Sequence, residues 1–474
     1  MKDKILVSVR SLSKHYSLKG GSVFESKKRV YANSDISLDI LRGETLGLVG
    51  ESGSGKSTFG RCVLGLTPID SGSVRYYGTD VYGVYPDYVK KAMRAFLSSY
   101  DSSLKKVKSY LDKRKNSHGY GYNDDFGAYG DEWWVRESIR VLGGLSVCDE
   151  GLEGCELVRK RFEVCAGFKK KTDLNKAYKA EGFTSENGTR IDADYNASVR
   201  SIDAKIERIK RECATKPYFM EAEGEIDRGI ELTRMKGEQM RKLRKEMQIV
   251  LQDPYSSLNP RMTVEEIIAE GIIAHGIMKQ GSSELSDHIR ATLELSGMPS
   301  SMLSRYPHEF SGGQRQRISI ARALALSPKL IVCDECVSAL DVSVGAQIIN
   351  LLSDLKEREG LTYLFISHDL SVVRYISDRV GVMYLGRIVE LGRAEEIFDH
   401  PRHPYTEALL SAAPGIGKKR ILFAGTNASA SPTEAHEGCP YATRCRMATD
   451  RCRIERPLLE DLGDGHLCAC HHAL

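Results

Sequence analysis

The sequence predicts an α/β fold assembled around a phosphate-binding loop, and three stretches predict it. The first is GETLGLVGESGSGKST at 43–58. There a short apolar run, Leu46–Val49, leads into the pattern G-x-x-x-x-G-K-[ST] and then into a helix from Lys56 through Leu64. The second is KLIVCDECVSALD at 329–341, an apolar strand that ends in two adjacent carboxylates, Asp334 and Glu335. The third is TYLFISHDL at 362–370, another apolar strand, which ends in His368. Short continuous apolar runs of this kind suit strands buried on both faces, as in a parallel sheet.

The loop has a direct chemical reading. Gly50, Gly53 and Gly55 let the backbone turn tightly and come close to phosphate oxygens, where a side chain would collide. The inward N–H groups and the start of the helix add partial positive charge. Lys56 is placed to bridge the β- and γ-phosphates, Ser57 to hold Mg²⁺ and Thr58 to bond the α-phosphate, while Glu51, Ser52 and Ser54 complete the loop. Of the two strand-end carboxylates, Asp334 is assigned to the metal and Glu335 to the general base that activates water. The loop alone implies a nucleoside triphosphate and fixes neither substrate nor process.

Composition sets bounds. The 474 residues suffice for roughly two to four domains. Charge is balanced, 68 basic against 64 acidic residues for a net +4, which argues against a nucleic-acid binder or a polybasic membrane anchor. No run approaches the ~18 apolar residues that span a bilayer. The start, MKDKILVSVRSLSKHY, has too short an apolar stretch for a signal peptide, so a cytosolic protein is expected. The 12 cysteines are scattered except for those between Cys439 and Cys470, and disulfides are not expected.

Two strands, 4–8 and 29–40, precede the loop strand, with Tyr16 between them, and SGSVRYYGTDV at 71–81 reads as a turn and strand. Residues 83–240 carry no phosphate or metal signature and are too long for a loop, so an inserted, mainly helical module is expected. A helix is predicted over 198–213, with Val199, Ile202, Ile206 and Ile209 on one face, and a second helical stretch over 225–245. Trp133 and Trp134 close a Gly/Tyr/Asp-rich run. Cys148, Cys155, Cys165 and Cys213 lack paired C-x-x-C spacing and read as buried thiols rather than a zinc site. The core resumes at MQIVL, a strand that delivers Gln252. Helices follow over 263–305, then the turn Ser311-Gly312-Gly313-Gln314 at a helix start, and paired strands over 380–392.

The order Tyr16, phosphate loop, Gln252, SGGQ, Asp334–Glu335, Asp341, His368 resembles the nucleotide-binding domain of ABC transporters. That resemblance implies a RecA-like P-loop NTPase with antiparallel β and helical subdomains. It implies that Tyr16 stacks on adenine, and that Gln252 senses Mg²⁺ and the γ-phosphate. Ser311, Gly312, Gly313 and Gln314 would complete the ATP site of an opposite subunit, Asp341 would lie in the subunit-contact loop, and His368 would hold the γ-phosphate and attacking water. The implied catalytic set is Glu335, His368, Gln252 and Lys56, with Ser57, Gln252 and Asp334 on Mg²⁺. One departure is Cys336, where the family has proline, which loosens the turn slightly.

The segment IFDHPRHPYTEALLSAAP, with QDPYSSLNPRM, resembles the ATPase subunits of peptide importers, the oligopeptide/dipeptide/nickel branch, over roughly 1–80 and 246–474. By that resemblance Cys439, Cys445, Cys452 and Cys470 would hold a [4Fe–4S] cluster, with zinc as the alternative, while Cys468 sits at a usually apolar position. The expected layout is 1–82 and 241–415 for the ATPase core, 83–240 for the insert and 416–474 for a Cys-rich extension. The expected protein is an ATP-hydrolysing importer subunit at the cytoplasmic face of the cell membrane. It would pair with a paralogue or a second copy, dock on two permease subunits and serve an extracellular solute-binding protein, with no nucleic acid. Peptide, nickel and glutathione all stay open as cargo. The alternatives are a soluble ABC ATPase acting on DNA or ribosomes, and a regulatory ATPase using the insert as a sensor. The first would not be expected to carry the HPYT segment and cysteine tail, and the insert lacks sustained heptads.

Overall fold

The computed structural model describes residues 4–17, 29–116, 133–180, 187–412 and 437–474, and of 115–116, 169–180 and 187–193 the backbone alone. The chain divides into two compact units, Met1–Val74 with Arg241–Leu474, and Arg75–Met240. The Gly/Tyr/Asp-rich run over 118–132 lies outside the described residues.

In the first unit, β1 (Ile5–Ser17) and β2 (Arg29–Leu41) pair antiparallel, and the first half of β4 (Ser71–Tyr76) lies beside β1. The main sheet holds β3 (Thr45–Val49), β6 (Met247–Val250), β7 (Leu330–Asp334), β8 (Thr362–Ile366), β9 (Arg379–Tyr384) and β10 (Arg387–Arg393), extended by β11 (Glu460–Asp461) and β12 (Leu467–Cys468). Its order is β11-β12-β10-β9-β3-β8-β7-β6. The pairs β9/β3, β3/β8, β8/β7 and β7/β6 are parallel. Every residue of β3, β7 and β8 is buried, as their unbroken apolar runs require. The register sets Leu48 opposite Ile366, Ile366 opposite Asp334, and Cys333 opposite Val250. The carboxyl ends of four strands therefore line up at one edge. That edge is where open α/β sheets bind ligands.

A helical layer has its own core. Helices Val264–Ala274, Ser283–Leu295 and Gly312–Leu324 bury Ile267, Ile268, Ile272, Ile289, Leu293 and Ile318. Thr263 and Glu266 form a reciprocal capping box at the first of these, satisfying two otherwise unpaired backbone donors.

The second unit is mainly helical, with helices Asp87–Ser98, Tyr100–Asn116, Trp133–Leu142, Leu152–Ala180 and Asn187–Cys213. The predicted helix at 198–213 is the C-terminal part of the last of these. Ile202, Ile206 and Ile209 are buried in it, whereas Val199 is half-buried. The expectation of one helical stretch over 225–245 is wrong. Residues there form β5 (Ile230–Glu231), paired antiparallel with Arg75 and Tyr76, then a 3-10 turn at Leu232–Arg234 and a helix at Gly237–Arg244. Gly229 abutting the Tyr77 ring and Gly237 at φ 56° break the helix that the charged side chains favour. The cysteine expectation also needs correcting. Cys148 and Cys213 form a disulfide with Cα atoms 6.2 Å apart, while Cys155 and Cys165 are buried free thiols. Chain separation of 65 residues hid that pairing.

Candidate functional site

The phosphate loop runs from the end of β3 to helix α1 (Lys56–Val63). Gly55 occupies the N-cap position at φ 98°, and a Cβ there would collide with the Ala32 carbonyl oxygen, so only glycine fits. Asn33 Nδ2 on β2 donates to the Gly55 carbonyl at 3.1 Å and fixes the loop from below. Lys56 is buried, and its Nζ donates to the carbonyls of Gly50 and Glu51, each at 2.9 Å. Burial lowers the Lys56 pKa, while Glu335, Asp334 and Glu51 work the other way.

The other strand ends close on the same place. Ser57 Oγ donates to Asp334 Oδ1 at 2.6 Å, which joins the two residues predicted to share a metal. Arg61 lies 4.0 Å from the other Asp334 oxygen. Glu335 leaves β7 in the left-handed region, φ 51°, uncommon for a side-chain-bearing residue, and its N–H donates to the Ile366 carbonyl at 2.9 Å. That turn aims its carboxylate at His368, whose Nδ1 lies 3.4 Å from Glu335 Oε1. Cys336, beside it, is packed into the core. Thus Lys56, Ser57, Asp334, Glu335 and His368 meet at one edge.

Other predicted residues stand apart. Gln252 is exposed, just beyond β6. Tyr16, next to last in β1, is 44% exposed with Lys14 Nζ 5.3 Å from its ring centre. Ser311 caps helix Gly312–Leu324 in a reciprocal box with Gln314, and both of these residues are exposed. Asp341 is the N-cap of helix Val342–Glu359 without a side-chain cap bond. Among the described residues, no hydrogen bond or ion pair ties Tyr16, Gln252 or Ser311–Gln314 to the phosphate loop.

A family model described as "ABC transporter" matches residues 33–174 and 215–338, more than half of the chain. One described as "Oligopeptide/dipeptide transporter, C-terminal region" matches 389–452. The chain is 47% identical over 261 residues to the oligopeptide transport ATP-binding protein AppF of Bacillus subtilis, covering 53% of this chain and 78% of that protein. It is 48% identical to the oligopeptide transport ATP-binding protein OppF of Escherichia coli, covering 49% of this chain and 70% of that one. It is 49% identical to the dipeptide transport ATP-binding protein DppF of Haemophilus influenzae, covering 48% and 70%. The chain belongs to the ABC transporter ATPase family, in its oligopeptide/dipeptide importer branch. It is an ATP-binding, ATP-hydrolysing subunit of that class of transporter. Among the described residues no helix is long and apolar enough to cross a membrane.

Within this ABC ATPase the HPYT segment has a concrete place. Helix Pro404–Ala412 buries Tyr405, whose hydroxyl accepts the Glu51 N–H at 3.0 Å. Arg444, from the cysteine segment, also reaches Glu51. Spacing gives no hint of either contact, because 354 and 393 positions separate the partners. Cys439, Cys445, Cys452 and Cys470 line one narrow cavity of about 10 Å³ together with His403 and Tyr441. Burial raises the thiol pKa of Cys439 to about 11 and pushes Cys445 and Cys470 up as well. Among the described residues no three His, Cys, Asp or Glu side chains are arranged to hold a metal ion. Cys468 is buried on β12, outside that cavity lining.

Proposed function

We propose that this ABC ATPase drives peptide import by hydrolysing ATP at the edge where Lys56, Ser57, Asp334, Glu335 and His368 converge. The observation that carries it is the Glu335–His368 approach of 3.4 Å beside the Ser57–Asp334 bond of 2.6 Å. Lys56 exchanges its bonds to the loop carbonyls for the β- and γ-phosphate oxygens. Ser57, Asp334 and Gln252 are the residues that would hold Mg²⁺, which would supply positive charge to offset the phosphates. Glu335 takes the proton of a water as its oxygen attacks the γ-phosphorus and the bond to ADP breaks. His368 holds that water and the γ-phosphate in line. Tyr16 carries the adenine. The Ser311–Gln314 turn donates backbone N–H groups to the nucleotide of a second ATPase subunit, and Asp341 lies at that contact. Two subunits, two copies or a pair of paralogues, dock on two permease subunits at the cytoplasmic face of the membrane. Boundaries of 83–240 for the insert and 416–474 for the tail fit this division of labour.

Glu335→Gln retains the shape and loses the base. With ATP and Mg²⁺ it binds nucleotide and accumulates a closed dimer by size-exclusion chromatography, while steady-state phosphate release falls by at least about 100-fold. Wild-type phosphate release from that variant would reject Glu335 as the base.

The cysteine cavity is the place for a [4Fe–4S] cluster, and the chemistry of the donor set fits. Four thiols, the donor set that such a cluster takes, line one space. Cys439, Cys445, Cys452 and Cys470 would bind as thiolates, each giving up its proton. Such a group supplies a rigid cross-link for the tail.

A further inference from the structure

Glu51 is an odd residue for its place. It directly follows Gly50 in a loop that must hold a highly anionic triphosphate, and its carboxylate adds negative charge there. Its backbone N–H is turned to the Tyr405 hydroxyl at 3.0 Å, and its carbonyl accepts from Lys56 Nζ at 2.9 Å. The carboxylate meets a forked partner. Arg444 Nη1 lies 3.0 Å from Glu51 Oε2, and Nη2 lies 3.0 Å from Oε1. This two-pronged geometry is the strong form of a guanidinium–carboxylate pair.

Arg444 is itself held in place. Its N–H donates to the Tyr441 carbonyl at 3.0 Å, and Nη1 also lies 3.4 Å from the Tyr384 hydroxyl. Its guanidinium sits 5.8 Å from the Tyr384 ring centre and 5.9 Å from that of Tyr441. Those two rings and Tyr405 pack together at 4.5 to 5.3 Å. All of these residues belong to the same compact unit. The segment that carries Cys439 and Cys445 is thereby joined to the phosphate loop by one charged fork on an aromatic base.

We propose that Arg444 is a positioning residue for the phosphate loop. It neutralises the Glu51 carboxylate and holds it aside, so that the cysteine segment sets the affinity for ATP without touching the nucleotide. The role is the same whatever the four thiols hold. It differs from general structural support, because it acts through a single partner charge. Its effect must therefore disappear when that charge is absent, and it must grow with the negative charge of the nucleotide.

Equilibrium binding of a fluorescent ATP analogue with Mg²⁺ to the full-length chain tests this. Arg444→Gln weakens ATP binding about tenfold and ADP binding less, and Arg444→Lys recovers part of the loss, as expected for a lost charge-assisted pair. In a Glu51→Gln background the same Arg444→Gln change shifts the ATP dissociation constant by less than about twofold. Circular dichroism melts identify any variant that is unfolded, and the comparison then uses the Arg444→Lys pair in both backgrounds. Wild-type affinity in folded Arg444→Gln, or an equal loss in the two backgrounds, would overturn the proposal.

Discussion

His403 shows how a single buried side chain ties this protein to pH. It is 1% exposed, and its Nδ1 accepts the Tyr405 N–H at 3.0 Å, so the imidazole must stay neutral to keep that bond. Burial pushes its pKa from 6.5 to about 4, against the pull of nearby Glu390. Glu390 is occupied by the N–H groups of Arg402 and His403 and by His466 Nε2 at 2.7 Å. The folded value lies below the unfolded one, so the unfolded chain takes up the proton first. Stability is complete above about pH 6.5 and is lost as pH falls toward 4, by on the order of 3 kcal/mol from this group. Melting temperatures between pH 8 and pH 4.5 should fall accordingly, and His403→Gln should start lower at pH 8 with a shallower decline. At this scale the sequence was informative for residues whose chemistry is local. Lys56, Ser57, Asp334, Glu335 and His368 each follow a legible strand or loop pattern, and they meet because parallel strands end together. Tyr405 and Arg444 were not legible in that way. Their partner Glu51 lies hundreds of positions away, and nothing in a local pattern encodes that distance.

Elements carry the next level of order. β3, β7 and β8 were readable because full burial demands unbroken apolar runs. The start of helix Gly312–Leu324 was readable from the turn Ser311-Gly312-Gly313-Gln314, and the structure adds the reciprocal cap between Ser311 and Gln314. The break at 225–245 was not, because charged residues favour a helix locally while pairing of β5 with Arg75 and Tyr76 overrides them. The tail belongs here too. Its short strands β11 and β12 add to the main sheet through Glu390 and Leu391, and this fixes the segment between Cys452 and Cys470. The proposed cluster predicts about four irons and four acid-labile sulfides per chain in protein purified without oxygen. Replacing any one of Cys439, Cys445, Cys452 or Cys470 with serine should remove most of that iron, whereas Cys468→Ser should retain it. Iron-free wild-type protein from such a preparation would leave the cavity to plain thiols.

At the scale of the whole molecule the chain is an ATPase core interrupted by a second compact unit, Arg75–Met240. Within that unit the Cys148–Cys213 disulfide closes a loop of 65 residues, for which chain entropy gives roughly 4 kcal/mol. Dithiothreitol should lower the unfolding midpoint of this unit in urea, followed by hydrogen exchange at its helices, and Cys213→Ser should reproduce the shift. ATP binding should not change, since every residue proposed for the nucleotide site lies in the other unit. An identical midpoint with and without reductant would remove the cross-link from the account of its stability. What the sequence determined by itself was the catalytic class, because phosphate and metal chemistry demand particular side chains at fixed short spacings. Only the tertiary structure decided which distant segments press on the phosphate loop and which cysteines face one another, because chain crossing and strand order, rather than spacing, set those neighbours.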